Sequence, residues 1–243
     1  MMKLTPESVL VVACDSVGGI GPKTSDRIHV SGEFVGRLTS RVALAETLSV
    51  GAKPFLIVAT LSVEPKPTAA SVIKGIGKEL HAAGIDVPIL RSTEKNIAVS
   101  QTGIGVTVLA NVARDLLRVG KSRAGDAIVA IGIPHVGSEV RRGEMSLRIA
   151  DLRDLNNLSK SQQIHDIIPV GSGGILKEAE VMARDSHLDF ETLKPPPRMD
   201  LNRSAGPATV LLCSVPRLAC GKVQSLTIKP VTKIGALVRS TNG

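Results

Sequence analysis

Two stretches of helical period, each set between short Val-rich runs, constrain the first half of this chain most. In EFVGRLTSRVALAETLSVG (33–51) the residues Phe34, Leu38, Val42, Ala45 and Leu48 recur three and four apart, and the pattern stops at Gly51 with Pro54 just beyond. That is the form of an amphipathic helix with a glycine stop. TAASVIKGIGKELHAAG (68–84) repeats the period through Val72, Ile73, Ile76 and Leu80 and stops at Gly84. Around them lie ESVLVVACD (7–15), FLIVATLSV (55–63), a run at 87–90 and GIGVTVLANV (103–112), segments of strand length bounded by turn residues. Strands outnumber helices about two to one, which predicts α+β with helices on one face of the sheet rather than a doubly wound sheet.

The second half opens after the polar stretch RVGKSRAGD (118–126), so two domains are expected, 1–120 and 121–243. AIVAIGI reads as a strand stopped by Pro134, followed by a basic, helix-compatible stretch from 137 to 158 and the buried strand IHDIIPV (164–170). GSGG (171–174) leads into the helical pattern ILKEAEVMARDSHL, with Ile175, Ala179, Met182 and Ala183 on one side. The prolines of KPPPRMDLNRSAGPA (194–208) forbid regular structure there, and TVLLCSV (209–215) and TKIGALV (232–238) close the fold as strands.

Composition narrows the function classes. No run approaches the ~18 apolar residues of a membrane span, and the opening MMKLTPESVL has no apolar signal core, so a cytoplasmic protein is expected. Cys14, Cys213 and Cys220 are odd in number and at no metal-ligand spacing, which points to free thiols. Thirty Lys and Arg against 22 Asp and Glu give a net charge of +8, favouring anionic partners such as nucleotides or phosphorylated metabolites. Nucleic acid is disfavoured, because with no Trp, no Tyr and only Phe34, Phe55 and Phe190 there is almost nothing to stack on bases.

CDSVGGIGPKTSD (14–26) is the first candidate site. It falls short of a P-loop, since Pro22 occupies the position before Lys23 and has no N–H to offer a phosphate. What remains is Asp15 at the predicted strand end, a flexible Gly18, Gly19 and Gly21 segment, then Lys23 and Asp26. A plain glycine-rich turn with a local Asx bond fits these residues equally well. Glu46 follows Val42 by one helical turn, close to the apolar stripe, where a carboxylate is either paired with a base such as Arg37 or Arg41 or bound to a metal. Glu94 and Asn96 lie in the loop RSTEKN. Taken together, Asp15, Glu46 and Glu94 are a candidate Mg²⁺ set, because Mg²⁺ is held by a few carboxylates with substrate phosphates. In HDIIPVGSGG, His165 and Asp166 precede Gly173 and Gly174 at a helix N-terminus; such a turn either binds an anion or simply turns the chain.

Taken in order, these stretches resemble the PurM-like superfamily of aminoimidazole ribonucleotide (AIR) synthase, thiamine-monophosphate kinase, selenophosphate synthetase and the hydrogenase-maturation carbamoyl dehydratase. CDSVGGIGPK is similar to the strand-end T-D followed by G-V-G-T-K. GRLTSRVALAETLSVGAKPFLIVATLS resembles G-x-x-A-x-x-x-N-x-S-D-x-x-A-M-G-A-x-P, the most specific match. ILRSTEKN stands in the place of the V-G-G-D-T loop, RAGDAIVAIG resembles P-G-D-x-[VIL]-x-x-x-G, and IHDIIPVGSGGILKEAE resembles H-D-x-S-D-G-G-L-x-x-E. The likeness runs from about residue 7 to 238. It departs from the pattern at Ala43 for Asn, Glu46 for Asp, and Arg91 and Ser92 for glycines.

The resemblance implies an α+β, PurM-like two-domain architecture in which the N-terminal sheet, with helices on one face, pairs across a homodimer and a C-terminal α+β domain closes over a shared cleft. It implies ATP and Mg as cofactors. Asp15, Glu46 and Glu94 would be metal carboxylates, Asp15 and Lys23 catalytic groups, and Gly18, Gly19, Gly21, Lys23 and Asn96 the nucleotide contacts. His165, Asp166, Gly173 and Gly174 would meet the small-molecule hydroxyl acceptor. The cysteine-dependent members are disfavoured, since Cys14 lies inside a strand and the chain closes on STNG. The expected activity is that of the AIR-synthase-related α-ribazole kinases, with thiamine-monophosphate kinase as runner-up. A non-catalytic nucleotide-binding module is the competing class.

Overall fold

The structure, a computed structural model, describes residues 1–3, 5–193 and 199–240. It divides into two compact units, Met1–Leu48 with Ala52–Leu116, and Ser49–Gly51 with Leu117–Gly243.

The first unit contains β1 (Met2–Lys3), β2 (Ser8–Gly18), β3 (Ile20–Gly21), β4 (Ile28–His29), α1 (Gly32–Ser49), β5 (Lys53–Leu61), α2 (Ala70–Ala83), β6 (Ile89–Thr93) and β7 (Gly103–Ala113). Five strands form a sheet in the order β1-β2-β7-β5-β6. β7 runs antiparallel to both β2 and β5, while β5 and β6 are parallel. The strands β2, β5 and β6 therefore all end at the same end of the sheet, where β7 begins. Val9, Val11 and Ala13 of β2, Val106, Val108 and Ala110 of β7, and Ile57 and Ala59 of β5 are buried on one face, each fully buried Val or Ile contributing about 1.5–3 kcal/mol.

Both predicted helices form. α2 stops at Gly84 in the left-handed conformation, its N–H bonded back to His81 O, as a glycine C-cap requires. The two helices cross at Gly36 and Gly75, where a Cβ would overlap the Val72 carbonyl and the Glu33 carbonyl respectively. Near that crossing, buried Arg41 donates to Glu79 at 2.6 and 3.3 Å, and Arg37 reaches the same carboxylate at 3.4 Å. The opposite face of the sheet carries rows of uncovered side chains. Cys14, Thr107, Val58 and Leu90 lie side by side across β2, β7, β5 and β6, and Val12, Leu109 and Leu56 form the next row. Val12 is 47% and Leu90 61% exposed.

The second unit contains β8 (Asp126–Ile131), α3 (Glu139–Met145), α4 (Leu152–Ser159), β9 (Asp166–Pro169), α5 (Gly174–Asp185), β10 (Leu188–Thr192), β11 (Leu211–Pro216), α6 (Cys220–Val223) and β12 (Val231–Arg239). Its antiparallel sheet has the order β10-β12-β8-β11-β9. Ile175, Ala179, Met182 and Ala183 of α5, the stripe expected from sequence, share one core with Ile128, Ala130, Leu212, Ile234 and Leu237. The alternate residues Val129, Ile131, Cys213 and Val215 are buried as well.

The helix-compatible stretch 137–158 forms two helices, α3 and α4, because Asp151 starts α4 afresh as a capping box with Asp154. Two expectations are corrected. The helix expected to run to 188 ends at Asp185, and the residues after it form the edge strand β10. β2 continues to Gly18, so Asp15 sits within the strand and not at its end. Of the proline-rich stretch 194–208, residues 194–198 lie outside the described residues.

Candidate functional site

The shared end of β2, β5 and β6 is where the chemistry-bearing residues of the first unit gather. Val17, Ile104, Leu61 and Thr93 form the last row across the sheet. Immediately beyond it lie the Gly18–Asp26 loop, Glu64 and Glu94. The loop is stitched to the segment before β7, with Gly19 N–H donating to Thr102 O (2.9 Å) and Ser25 N–H to Ser100 O (2.9 Å).

Asp26 is the clamp. Its buried carboxylate accepts the Lys23 N–H at 2.8 Å and both the N–H and the hydroxyl of Thr102 at 2.7 Å. Burial alone would raise the Asp26 carboxyl, but the hydrogen bonds from Thr102 and Lys23, with His29 nearby, outweigh it and hold the group below the usual carboxylate range. Gly21 is required beside it: its φ is +155°, and a Cβ there would run into the Thr102 side chain. The amides of Gly19 and Lys23 are thus consumed by the fold. This agrees with the reading from Pro22 that the segment is not a P-loop amide cradle.

Lys23 is ion-paired with Glu64, just past the end of β5. Glu64 also accepts the Thr68 N–H at 3.3 Å and its hydroxyl at 2.5 Å, capping the turn that follows. Burial opposes ionisation of Glu64, yet Lys23 and Thr68 together bring its carboxyl down to about 2. Sequence reasoning missed Glu64. Its signal was present in VEPKPT, an acid before Pro with Thr four residues on, a pattern that suits a helical start.

The other predicted residues fall as follows. Asp15 is half-buried on the helix-covered face, in a row with Val106 and Ala59, and desolvation raises its carboxyl above the ordinary value. Glu94 accepts the backbone N–H groups of Asn96 (2.7 Å) and Ile97 (3.0 Å), and those bonds lower its carboxyl; the Asn96 side chain is exposed. Glu46 is exposed and lies in the last turn of α1, before β5 starts. α1 runs 18 residues back along the sheet, so at 1.5 Å per residue Glu46 is carried on the order of 20 Å from the loop end. Asp15, Glu46 and Glu94 therefore do not converge within one chain. Among the described residues no three His, Cys, Asp or Glu side chains are grouped to hold a metal ion.

In the second unit, His165 and Asp166 tie the loop before β8 to β9, and the buried Asp166 Oδ1 has no hydrogen-bond partner within the chain. His165 Nδ1 lies 2.7 Å from Asp126 Oδ2, which also accepts the Arg123 N–H. Asp166, buried, accepts the Lys121 N–H, the Ser122 N–H and the Ser122 hydroxyl, each at 2.7 Å. Gly173 caps α5, and Gly174, with φ +81°, passes so close to the Asn202 backbone that no side chain fits. Burial raises the Glu178 carboxyl, which faces the Gly171 amide at this turn.

The described residues contain no helix long and apolar enough to cross a membrane. In architecture the chain is a two-unit α+β protein with the PurM-like fold. Residues 1–107 match the AIR synthase related protein, N-terminal domain. No curated protein matches in sequence. Among solved structures the chain is similar to the hydrogenase maturation protein HypE in complex with ATP, at 17% identity and TM-score 0.66 over 95% of this chain and 78% of that one. It is similar to the Stenotrophomonas maltophilia thiamine-monophosphate kinase at 16% identity and TM-score 0.64, covering 97% and 84%. The Thermotoga maritima PurL complexed with AMPPCP matches at 14% and TM-score 0.66, over 96% of this chain and 41% of that one.

Proposed function

We propose that this chain is an ATP-dependent small-molecule kinase, with α-ribazole as its acceptor and thiamine monophosphate as the alternative. The observation that carries the reading is the loop end of the first sheet. There a conformationally clamped glycine loop presents Lys23 next to the ends of three parallel-running strands. Two of the structural neighbours were solved with ATP or AMPPCP and a third is a kinase, which supports assigning a nucleotide polyphosphate to that end. Phosphoryl transfer asks the protein mainly for positioning and electrostatic stabilisation. Lys23 supplies the positive charge for the phosphates, and Asp15, whose carboxyl is raised by burial, is the acid nearest the loop on β2.

The expected partner is a second copy. The uncovered face with Val12, Leu56, Val58, Leu90 and Leu109 is the surface that pairing would bury, and Leu109→Lys should turn a dimer in size-exclusion light scattering into a monomer. Purified protein with Mg-ATP is tested on α-ribazole, thiamine monophosphate and a panel of hydroxyl metabolites, reading ADP and product mass. ADP formation with a phosphorylated product supports the kinase, and its absence on every acceptor refutes it. One observation favours a second reading, a nucleotide-binding module without turnover: no three carboxylates gather for a metal among the described residues. A thermal shift with Mg-ATP in the absence of turnover would select that module.

A further inference from the structure

We propose that Glu64 is the positioning residue of the nucleotide site: it holds the Lys23 ammonium at the loop end so that the remaining N–H donors meet the terminal phosphates of a nucleoside triphosphate. This rests on the nucleotide reading above and adds to it a residue outside the resemblance.

Both ends of the lysine are fixed. Its backbone N–H is bonded to Asp26 at 2.8 Å and its ammonium is paired with Glu64. Glu64 is itself held without help from the lysine. Its Oε1 accepts the Thr68 N–H and hydroxyl, and its Oε2 is the atom facing Lys23. An ammonium has three donors, so one carboxylate oxygen leaves two for another acceptor. The side chains are 20% and 32% exposed, while the Glu64 Oε2 that faces Lys23 is itself buried. Because the Gly19 and Lys23 amides are taken by Thr102 and Asp26, the charge offered to a phosphate at this loop falls to the ammonium. The low carboxyl of Glu64 keeps the pair intact across the physiological range.

The test is a double-mutant cycle on the full chain with Lys23→Ala, Glu64→Gln and the pair, reading the ATP dissociation constant by calorimetry and turnover by ADP release. Gln retains an oxygen for Thr68, so the thermal midpoint should hold; Thr68→Val, which loosens the carboxylate while leaving its charge, is the second variant. Lys23→Ala should weaken ATP by about tenfold in the wild-type background and by less than about threefold beside Glu64→Gln, since an unaimed lysine has little left to lose. Thr68→Val should lower turnover in the same direction as Glu64→Gln. Equal effects of Lys23→Ala in both backgrounds would overturn the inference and leave the nucleotide reading standing. Tighter ATP binding by Glu64→Gln with unchanged turnover would also overturn it, showing Glu64 to be a competitor for the lysine. A wild-type chain that binds no ATP would refute both.

Discussion

Replacing Asp26 by Ala tests whether one buried carboxylate sets the shape of the glycine-rich loop. The side chain is 5% exposed and receives three hydrogen bonds, from Lys23 N–H and from the N–H and hydroxyl of Thr102. Bonds to a charged acceptor are worth roughly 1.5–3 kcal/mol each. Partial relaxation lets water reach the Lys23 amide, so the net cost should be about 3–5 kcal/mol rather than the full sum. The folded Asp26 carboxyl lies below its unfolded value of ~3.9. Its contribution is therefore complete above about pH 4 and is lost as pH falls through the folded value. The gap between wild type and Asp26→Ala in urea unfolding should be widest near neutral pH and shrink in acid. Because the chain has two units, hydrogen exchange at the Thr102 amide is read alongside, since it reports the clamp locally. A gap below about 0.5 kcal/mol at pH 7, or one that does not narrow in acid, would refute the assignment of the loop's order to Asp26.

Three further outcomes follow from the packing. Glu79→Ala deprives buried Arg41 and neighbouring Arg37 of the carboxylate between them and should cost about 3–5 kcal/mol in urea unfolding. Gly36→Val places a branched side chain where even a Cβ overlaps the Val72 carbonyl; it should cost at least ~2 kcal/mol by separating α1 from α2, read from the thermal midpoint. On the proposed pairing of the uncovered sheet face, thiol labelling should find Cys14 reactive on dilution and protected at high concentration, while buried Cys213, its thiol pushed up by desolvation, stays inert until unfolding.

What could be read from the sequence was what local periodicity encodes. α1 and α2 were legible because Val72, Ile76 and Leu80, or Leu38 and Ala45, repeat at helical spacing and are in fact buried. The end of β2 was not, because Ser16, Val17 and Gly18 are held as strand by pairing with Gly105, Ile104 and Gly103, partners 85 or more residues away that no local pattern announces. β10 was hidden for a similar reason: LDFET follows the helical stretch directly and becomes a strand by pairing with β12.

The candidate site was hard to read from sequence at a different level, that of which end of the sheet a residue reaches. Glu46 was attractive as a carboxylate at a matching position, but a helix that returns the chain between two parallel-running strands must run opposite to them. Residues near its C-terminus then stand at the end where the next strand starts, away from the loops that follow the strands. Residues just after β2, β5 and β6, by contrast, share one end whatever their spacing in the chain, which places Lys23, Glu64 and Glu94 together and Glu46 apart. Applied to the strand and helix order alone, that rule would have selected Glu64, three residues past β5, over Glu46, three residues before the end of α1. The topology, more than the residue type, decides which acids share the loop end with Lys23, and this is why the Glu64 and Lys23 cycle tests the role of Glu64 separately from the proposed nucleotide site.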